Sequence, residues 1–362
     1  MEKTVIPPDY GFFFLRTCDT ICTMYTDKDL KPKQSKKSRL LYILLVTVVL
    51  IITIIIGAKM LYKKSLDKYY KNCNELFTIP DIDKGFIPQG IAFNKENNMY
   101  LLTGYMGNGS ASPIYLIDAD SKSVKKVLMY TPENKPFKGH AGGLSVIGNE
   151  VYVAGSTDYC MYVFSLDDLL NAENNSTLSY KDIVSLKNDD DFLRVSFTSE
   201  NNGILFAGEF HKSPIFYTHE SHEISTQDGV QNAYLFGFKV NENTAEPAIV
   251  YSIPDKVQGA CFHDNKVYLS ISHGAAPAEI CEYDLKKIES SQTHTVLGKE
   301  IPLYVLDDSN VSHKYKIPPM SEEIIFVNDD LVTLHECASN RYIFGKFISA
   351  KKTYSINLQK MF

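Results

Sequence analysis

Residues Gln89–Tyr105 read QGIAFNKENNMYLLTGY, and four later stretches follow the same plan. They are GGLSVIGNEVYVAGS from Gly142, LRVSFTSENNGILFAGE from Leu193, QGACFHDNKVYLSIS from Gln258 and EEIIFVNDDLVTLHE from Glu322. Each holds an apolar strand, a polar turn and a second apolar strand that ends in small or polar residues. The turns KENN, IGNE, SENN, HDNK and NDD carry the Asn, Asp and Gly that tight antiparallel hairpins need. Successive copies start 53, 51, 65 and 64 residues apart. A third strand is expected in each unit, at IYLIDAD, MYVFSLDD, YLFGFKV, EICEYDL and YIFGKFI. A fourth ends each unit in a recurring phrase: Met129–Pro132, Val184–Lys187, Tyr251–Pro254 and Tyr315–Pro318, with further versions at Phe77–Pro80 and Tyr354–Asn357. Four strands repeated every 50–65 residues indicate an all-β fold, a five-bladed β-propeller. A β-sandwich would not explain the repeated order of landmarks. The extra phrase poses a closure question. Either the Phe77 or the Tyr354 segment pairs with the last blade, and pairing of Phe77 with Phe344 would lock the ring by joining its two ends.

Outward from the repeats, Leu40–Ala58 reads LLYILLVTVVLIITIIIGA, with no charge in 19 residues. At ~1.5 Å per residue it reaches about 28 Å, close to the thickness of a bilayer core. A single transmembrane helix over residues 40–62 therefore precedes the propeller, with no cleavage pattern of a signal peptide behind it. Residues 1–39 carry a net charge of +3 and residues 59–362 a net charge of −9. This favours a short cytoplasmic basic tail (1–39), a stalk (63–75) and an extracytoplasmic propeller (76–362) at the cell membrane. Cys18 and Cys22 in the tail are too few for a zinc site. The whole chain, 362 residues with a net charge of −6, is too acidic for a general nucleic-acid binder. Its 22% charged content is also too high for a multi-span membrane protein.

The phrases IPQGIAF, GHAGGLSV, VQGACF, PPMSEEI and HECASNRYIFGKF resemble a family of largely uncharacterised bacterial extracytoplasmic propeller proteins anchored in the membrane. The likeness covers residues 76–359. More distantly, the pattern is similar to lactonase-type and quinoprotein-type propellers. The resemblance implies the fold and names no activity, and the metal-ligand sets and cofactor motifs of those enzymes are not recognisable.

In a propeller the innermost strands line a central channel, so equivalent repeat positions form a ring around one axis. The strand openings place Gln89, His140, Arg194, Gln258 and Glu322 on that ring as candidate ligand-binding residues. The second strands end near Tyr105, Ser156 with Asp158, Glu209 with His211, Ser272 with His273, and His335 with Glu336. Arg194 and His140 suit an anionic or polyhydroxy small molecule or a glycan, with Glu322 or an anionic ligand as the expected partner of Arg194. A plug of polar groups and water is the competing reading. No nucleophile elbow, P-loop or HExxH motif is present, so the chain reads as a binding or sensing module rather than an enzyme. The alternative is a hydrolase of glycans, lactones or esters. Its catalytic candidates are Glu322, Glu336 and His140, drawn with Glu209 and Glu323 from the few suitable carboxylates. In the long third unit, His211, His219 and His222 are candidate zinc or copper ligands, against the plainer expectation of a solvated polar loop. Cys160, Cys261, Cys281 and Cys337 read as buried apolar residues, and Cys73 as a stalk thiol able to link two chains.

Overall fold

The computed structural model describes residues 36–241, 244–290, 292–342, 345 and 350–361. The chain divides into two compact units, Met1–Ile56 and Gly57–Phe362. The first contains most of α1, a helix over Lys36–Ser65 that is long and apolar enough to cross a membrane. Most of the basic tail, including Cys18 and Cys22, lies outside the described residues.

The second unit is a five-bladed propeller. From the axis outward, blade 1 is Phe86–Asn94, Met99–Met106, Pro113–Asp118 and Val124–Tyr130. Blade 2 is Ala141–Ile147, Glu150–Gly155, Cys160–Ser165 and Asp182–Ser185. Blade 3 is Val195–Asn201, Ile204–Glu209, Ala233–Asn241 and Thr244–Ile253. Blade 4 is Val257–His263, Lys266–Ile271, Ala278–Asp284 and Val311–Ile317. Blade 5 is Ser321–Val327, Asp330–His335, Lys352–Ile356 and, from the N-terminal side of the chain, Cys73–Thr78.

Turn chemistry and apolar patterning explain the units. Each hairpin between first and second strands holds a residue in the left-handed region: Asn98, Gly148, Asn202, Asp264 and Asn328, at φ of 50°, 57°, 51°, 49° and 55°. Gly, Asn and Asp tolerate that region where β-branched residues do not. The strands bury both faces, because a blade is covered on each side by its neighbours. Five apolar clusters result, one between each pair of adjacent blades. Leu101 and Val153 meet between blades 1 and 2, for example, and Phe197 and Leu269 between blades 3 and 4.

Closure uses both of the spare phrases. Tyr354 pairs with Thr333 of the second strand of blade 5. The Phe77 segment then pairs with the Tyr354 segment, Glu75 opposite Tyr354 and Phe77 opposite Thr353. The third strand of blade 5 is therefore Lys352–Ile356 and not YIFGKFI. Of that phrase, Tyr342 lies outside any strand, and Phe344 lies outside the described residues. Within the 63–75 segment, a helical turn over Asp67–Asn72 (α2) buries Tyr69, whose hydroxyl lies 2.6 Å from that of Thr333. Cys73 begins the closing strand and is half-buried, and Cys160, Cys261, Cys281 and Cys337 are buried. The Ile215–Thr218 segment adds no strand to blade 3. The insertion instead carries a detached hairpin, Ile224–Thr226 with Gly229–Gln231.

Candidate functional site

All five innermost strands break register at the same place. The shifts fall between Pro88 and Gly90, Ala141 and Leu144, Val195 and Phe197, Val257 and Gly259, and Ser321 and Ile324. A β-bulge leaves a residue unpaired and re-aims its side chain. Here the first unpaired positions hold Gln89, Gly142, Ser196, Gln258 and Glu322, and in blades 2 and 5 Gly143 and Glu323 are unpaired as well. The third member of the ring is thus Ser196, and Arg194 lies two residues before it.

Above the bulges is a cavity of about 360 Å³. Its walls include Gln89, His140, Arg194, Gln258, Glu322 and Glu336, so the structure places the six expected residues around one space. Five of the six fall into two chains of hydrogen bonds, and Arg194 belongs to neither. The His140 imidazole Nε2 lies 2.5 Å from Gln89 Oε1, and Gln89 Nε2 donates to Glu336 Oε2 at 3.1 Å. Tyr342 donates its hydroxyl to the same oxygen at 2.9 Å. Across the ring, Gln258 Nε2 donates to Glu322 Oε1 at 3.2 Å.

Glu322 and Glu336 are buried close enough for each carboxyl to act on the ionisation of the other. Burial, and then the neighbouring charge of Glu336, hold the Glu322 carboxyl well above its ordinary range. Burial raises Glu336 to about 7, against the pull of Tyr342, Arg341 and Gln89. Two buried carboxyls this close cannot both ionise cheaply, so the pair retains a proton at neutrality. Desolvation by the cavity walls, with the Arg341 charge second, lowers the His140 imidazole, although the residue as a whole is exposed.

Arg194 does not reach Glu322. Its guanidinium donates to the Tyr217 carbonyl oxygen at 3.3 Å. The cation acting on Glu336 is Arg341, which donates to the Tyr105 hydroxyl at 2.5 Å and lies 5.5 Å from that ring's centre. Tyr105, Tyr342, Phe210 and Phe216 supply the apolar part of the wall. Arg341 and Tyr342 were not singled out from the sequence. They follow Glu336 by five and six residues in the loop between the second and third strands, which differs in length and sequence from unit to unit, so the repeat carried no signal for them.

The residue after each first unpaired position tells a different story. It is Gly90, Gly143, Phe197, Gly259 and, in blade 5, Glu323. Glu323 is fully buried and turned into the neck of the channel. Its Oε2 accepts the backbone N–H of Ile91 at 2.7 Å and of Leu144 at 3.0 Å, and its Oε1 accepts that of Thr198 at 2.9 Å. One side chain on blade 5 thereby ties together the inner strands of blades 1, 2 and 3. Burial pushes its carboxyl up to about 8 against these three N–H groups, which pull it down. Gly143 is required beside it, because a Cβ there would sit 2.1 Å from Glu323 Oε1. Beyond Glu323, toward the far ends of the same strands, a second cavity of about 210 Å³ is lined by Phe93, Ser145, Glu200 and Phe262.

Of the second-strand ends, Tyr105, Ser156 and His273 also line the cavity above the bulges, and the other candidates lie elsewhere. Glu209 and His335 are buried, His211 bonds Asp255 at 2.7 Å, and Asp158 accepts the Tyr162 hydroxyl at 2.5 Å. His219 and His222 come together without His211.

No family model matches the chain, and no curated protein matches it. Among solved structures it is similar to the glutaminyl cyclase of Myxococcus xanthus, at 9% identity over 73% of this chain and 91% of that one, TM-score 0.40. It is also similar to a chain of a nidogen/laminin complex, at 10% identity over 69% and 72%, TM-score 0.35. A third likeness is to the hydrazine synthase of Kuenenia stuttgartiensis, at 8% identity over 68% and 55%, TM-score 0.31. Likeness this low transfers no activity, and the blade count rests on the strand pairing itself.

Proposed function

We propose that this propeller is anchored to a membrane by the helix over residues 40–62 and binds a small polyhydroxy ligand, a sugar unit or glycan end, in the bulge-ringed cavity. The observation that carries the reading is the pair of buried carboxyls, Glu322 and Glu336, that accept from Gln258 and Gln89 in the cavity wall. A carboxyl pair retaining a proton offers donor and acceptor side by side, as do amides, and sugar hydroxyls require both. The tyrosine and phenylalanine walls suit the apolar face of a pyranose ring, and the volume falls in the range of small-ligand sites. A neutral ligand fits better than an anion. Arg194 is already engaged with a carbonyl, and the carboxyl pair repels negative charge.

One observation favours the hydrolase alternative: Glu336, at about 7, is poised for proton transfer near neutrality. Titration calorimetry of the full-length protein in detergent, against a panel of neutral sugars and their uronic acids, tests the proposal. A neutral sugar should bind, and Glu322→Gln should fold and keep that binding within about tenfold, a loss of about 1.4 kcal/mol. Absence of binding across the panel overturns the reading. Turnover of a glycan, lactone or ester that Glu322→Gln abolishes replaces it with the hydrolase.

The basic tail and acidic propeller support an orientation with residues 1–39 in the cytoplasm and the propeller outside.

A further inference from the structure

The insertion of blade 3, Phe210 to Asn232, folds back over its own blade and delivers two imidazoles to one carboxylate. His222 is fully buried in a short helical turn, and His219 precedes that turn. His222 Nε2 lies 3.1 Å from Asp191 Oδ1, and His219 Nδ1 lies 3.7 Å from the same oxygen. One ligand atom from each residue falls within 4.8 Å of the others. Four ligands about 2.0–2.2 Å from a tetrahedral zinc lie roughly 3.3 Å from each other, so only the partly exposed His219 needs to adjust.

The surroundings match what a metal needs. Glu209 Oε2 lies 2.9 Å from His222 Nδ1, the outer carboxylate that orients a ligating histidine and fixes its tautomer. The second Asp191 oxygen accepts the backbone N–H of Leu297 at 3.1 Å, and the Asp191 backbone N–H is held by the Asn188 side chain at 2.8 Å. Two rings packed at the cluster carry buried polar atoms with no hydrogen-bond partner among the described residues. They are the hydroxyl of Tyr234, whose ring stacks on His222 at 4.7 Å, and Nε2 of His294, edge-on to Tyr234 at 5.1 Å.

We propose that Asp191, His219 and His222 bind one divalent transition-metal ion, zinc foremost, with Glu209 as the carboxylate behind His222. Two imidazoles and one carboxylate suit zinc and disfavour magnesium and calcium, which take oxygen ligands. The site stands apart from whatever the channel cavity binds, but it is joined to the cavity wall. Glu209 also accepts the Arg194 backbone N–H at 3.0 Å, and the same insertion supplies Phe216 and the Tyr217 carbonyl that holds the Arg194 guanidinium. A metal here pins the insertion that forms one side of the cavity.

The test uses the full-length protein in detergent, free of any histidine tag, stripped with chelator and then dialysed against zinc chloride with excess magnesium. Elemental analysis should find one zinc per chain, and zinc should raise the unfolding temperature where magnesium does not. His219→Ala removes the partly exposed ligand and spares the buried pair. It should leave the metal-free unfolding temperature unchanged and weaken zinc binding at least tenfold. Cobalt substitution should produce visible absorption that the same variant loses. No zinc uptake, or a His219→Ala protein that binds zinc like the parent, overturns the proposal and leaves the cluster as a proton-held ion-pair network.

Discussion

Replacing Glu323 by alanine should damage the propeller more than any other single change at the channel, and the damage can be sized from its bonds. The substitution strands the N–H groups of Ile91, Leu144 and Thr198, one on each of three blades. A buried donor left without an acceptor costs about 1–3 kcal/mol. Three of them cost about 3–9 kcal/mol, and water entering the neck from either cavity favours the lower half of that range. Domains are stable by only about 5–15 kcal/mol, so this one side chain controls a large share of the total. Glu323→Gln keeps one oxygen of the same shape and places an amide N–H₂ against one of the former donors. Its cost should fall near one lost acceptor, about 1–3 kcal/mol. Glu322→Ala is the control one residue away. It removes a member of a crowded carboxyl pair and strands no backbone donor, so its cost should stay within about 1 kcal/mol. Chemical denaturation of the full-length protein in detergent, followed by circular dichroism, gives the order. Hydrogen exchange should show the Ile91, Leu144 and Thr198 amides losing protection together in Glu323→Ala, and only those facing the new amide nitrogen in Glu323→Gln. A Glu323→Ala protein no less stable than Glu322→Ala would refute the clamp.

The pH dependence of stability has a definite sign. The Glu336 carboxyl stands at about 7 in the folded protein against 4.5 for an ordinary glutamate, so the folded state keeps a proton that the unfolded chain releases. Stability from this group is fully present below the ordinary glutamate range and is lost as pH rises through the raised value of the folded protein. Unfolding temperatures measured from pH 4.5 to 8.5 should fall across that window, and Glu336→Gln should lessen the fall, the remainder coming from Glu322 and Glu323, which burial also raises. Phe77 on the closing strand is 6% exposed, with its ring 5.1 Å from that of Tyr100. Phe77→Ala should cost about 3–5 kcal/mol and open the seam between blades 5 and 1 first, seen as early proteolytic cutting there. Protease added to intact cells should digest the propeller and spare the tail, and the reverse pattern would invert the proposed orientation.

The blades were legible in the sequence because turn residues and strand alternation repeat, and the repeat survives low identity between units. The mouth was legible for the same reason: Gln89, Gln258 and Glu322 mark the bulge in their own units. Arg194 was misassigned by two places because unit 3 has serine at the bulge, and a conspicuous charge nearby drew the alignment. The closing pair was half legible. Two phrases competed for one edge, and a third strand read at YIFGKFI hid that both are used. Glu323 had a visible signal that repeat reading could have weighed, since a carboxylate stands where three other units have glycine. Its role still depended on geometry, because its three partners are backbone N–H groups and leave no mark on side-chain patterns. Arg341 and Tyr342 arise in a loop that differs in length and sequence from blade to blade, beyond the reach of any internal comparison.

The closing strand sets an order on synthesis. Cys73–Thr78 is among the first parts of the propeller to be made, and its partner Lys352–Ile356 among the last. Roughly 280 residues separate the pair, so at about 5–20 residues per second the early strand waits some 15–60 s for an edge to join. Blades 1 to 4 can form in turn as they emerge, with blade 1 gaining the strand Thr177–Ser179 and blade 3 the strands Gln292–Val296 and Lys299–Val305 from the stretch of the next blade. The ring cannot. Until the final residues arrive, Cys73–Thr78 is an unpaired strand and the outer face of blade 1 is bare. A nascent or truncated chain therefore presents an open arc with two sticky ends, and a neighbouring chain's Lys352–Ile356 can take the place of its own.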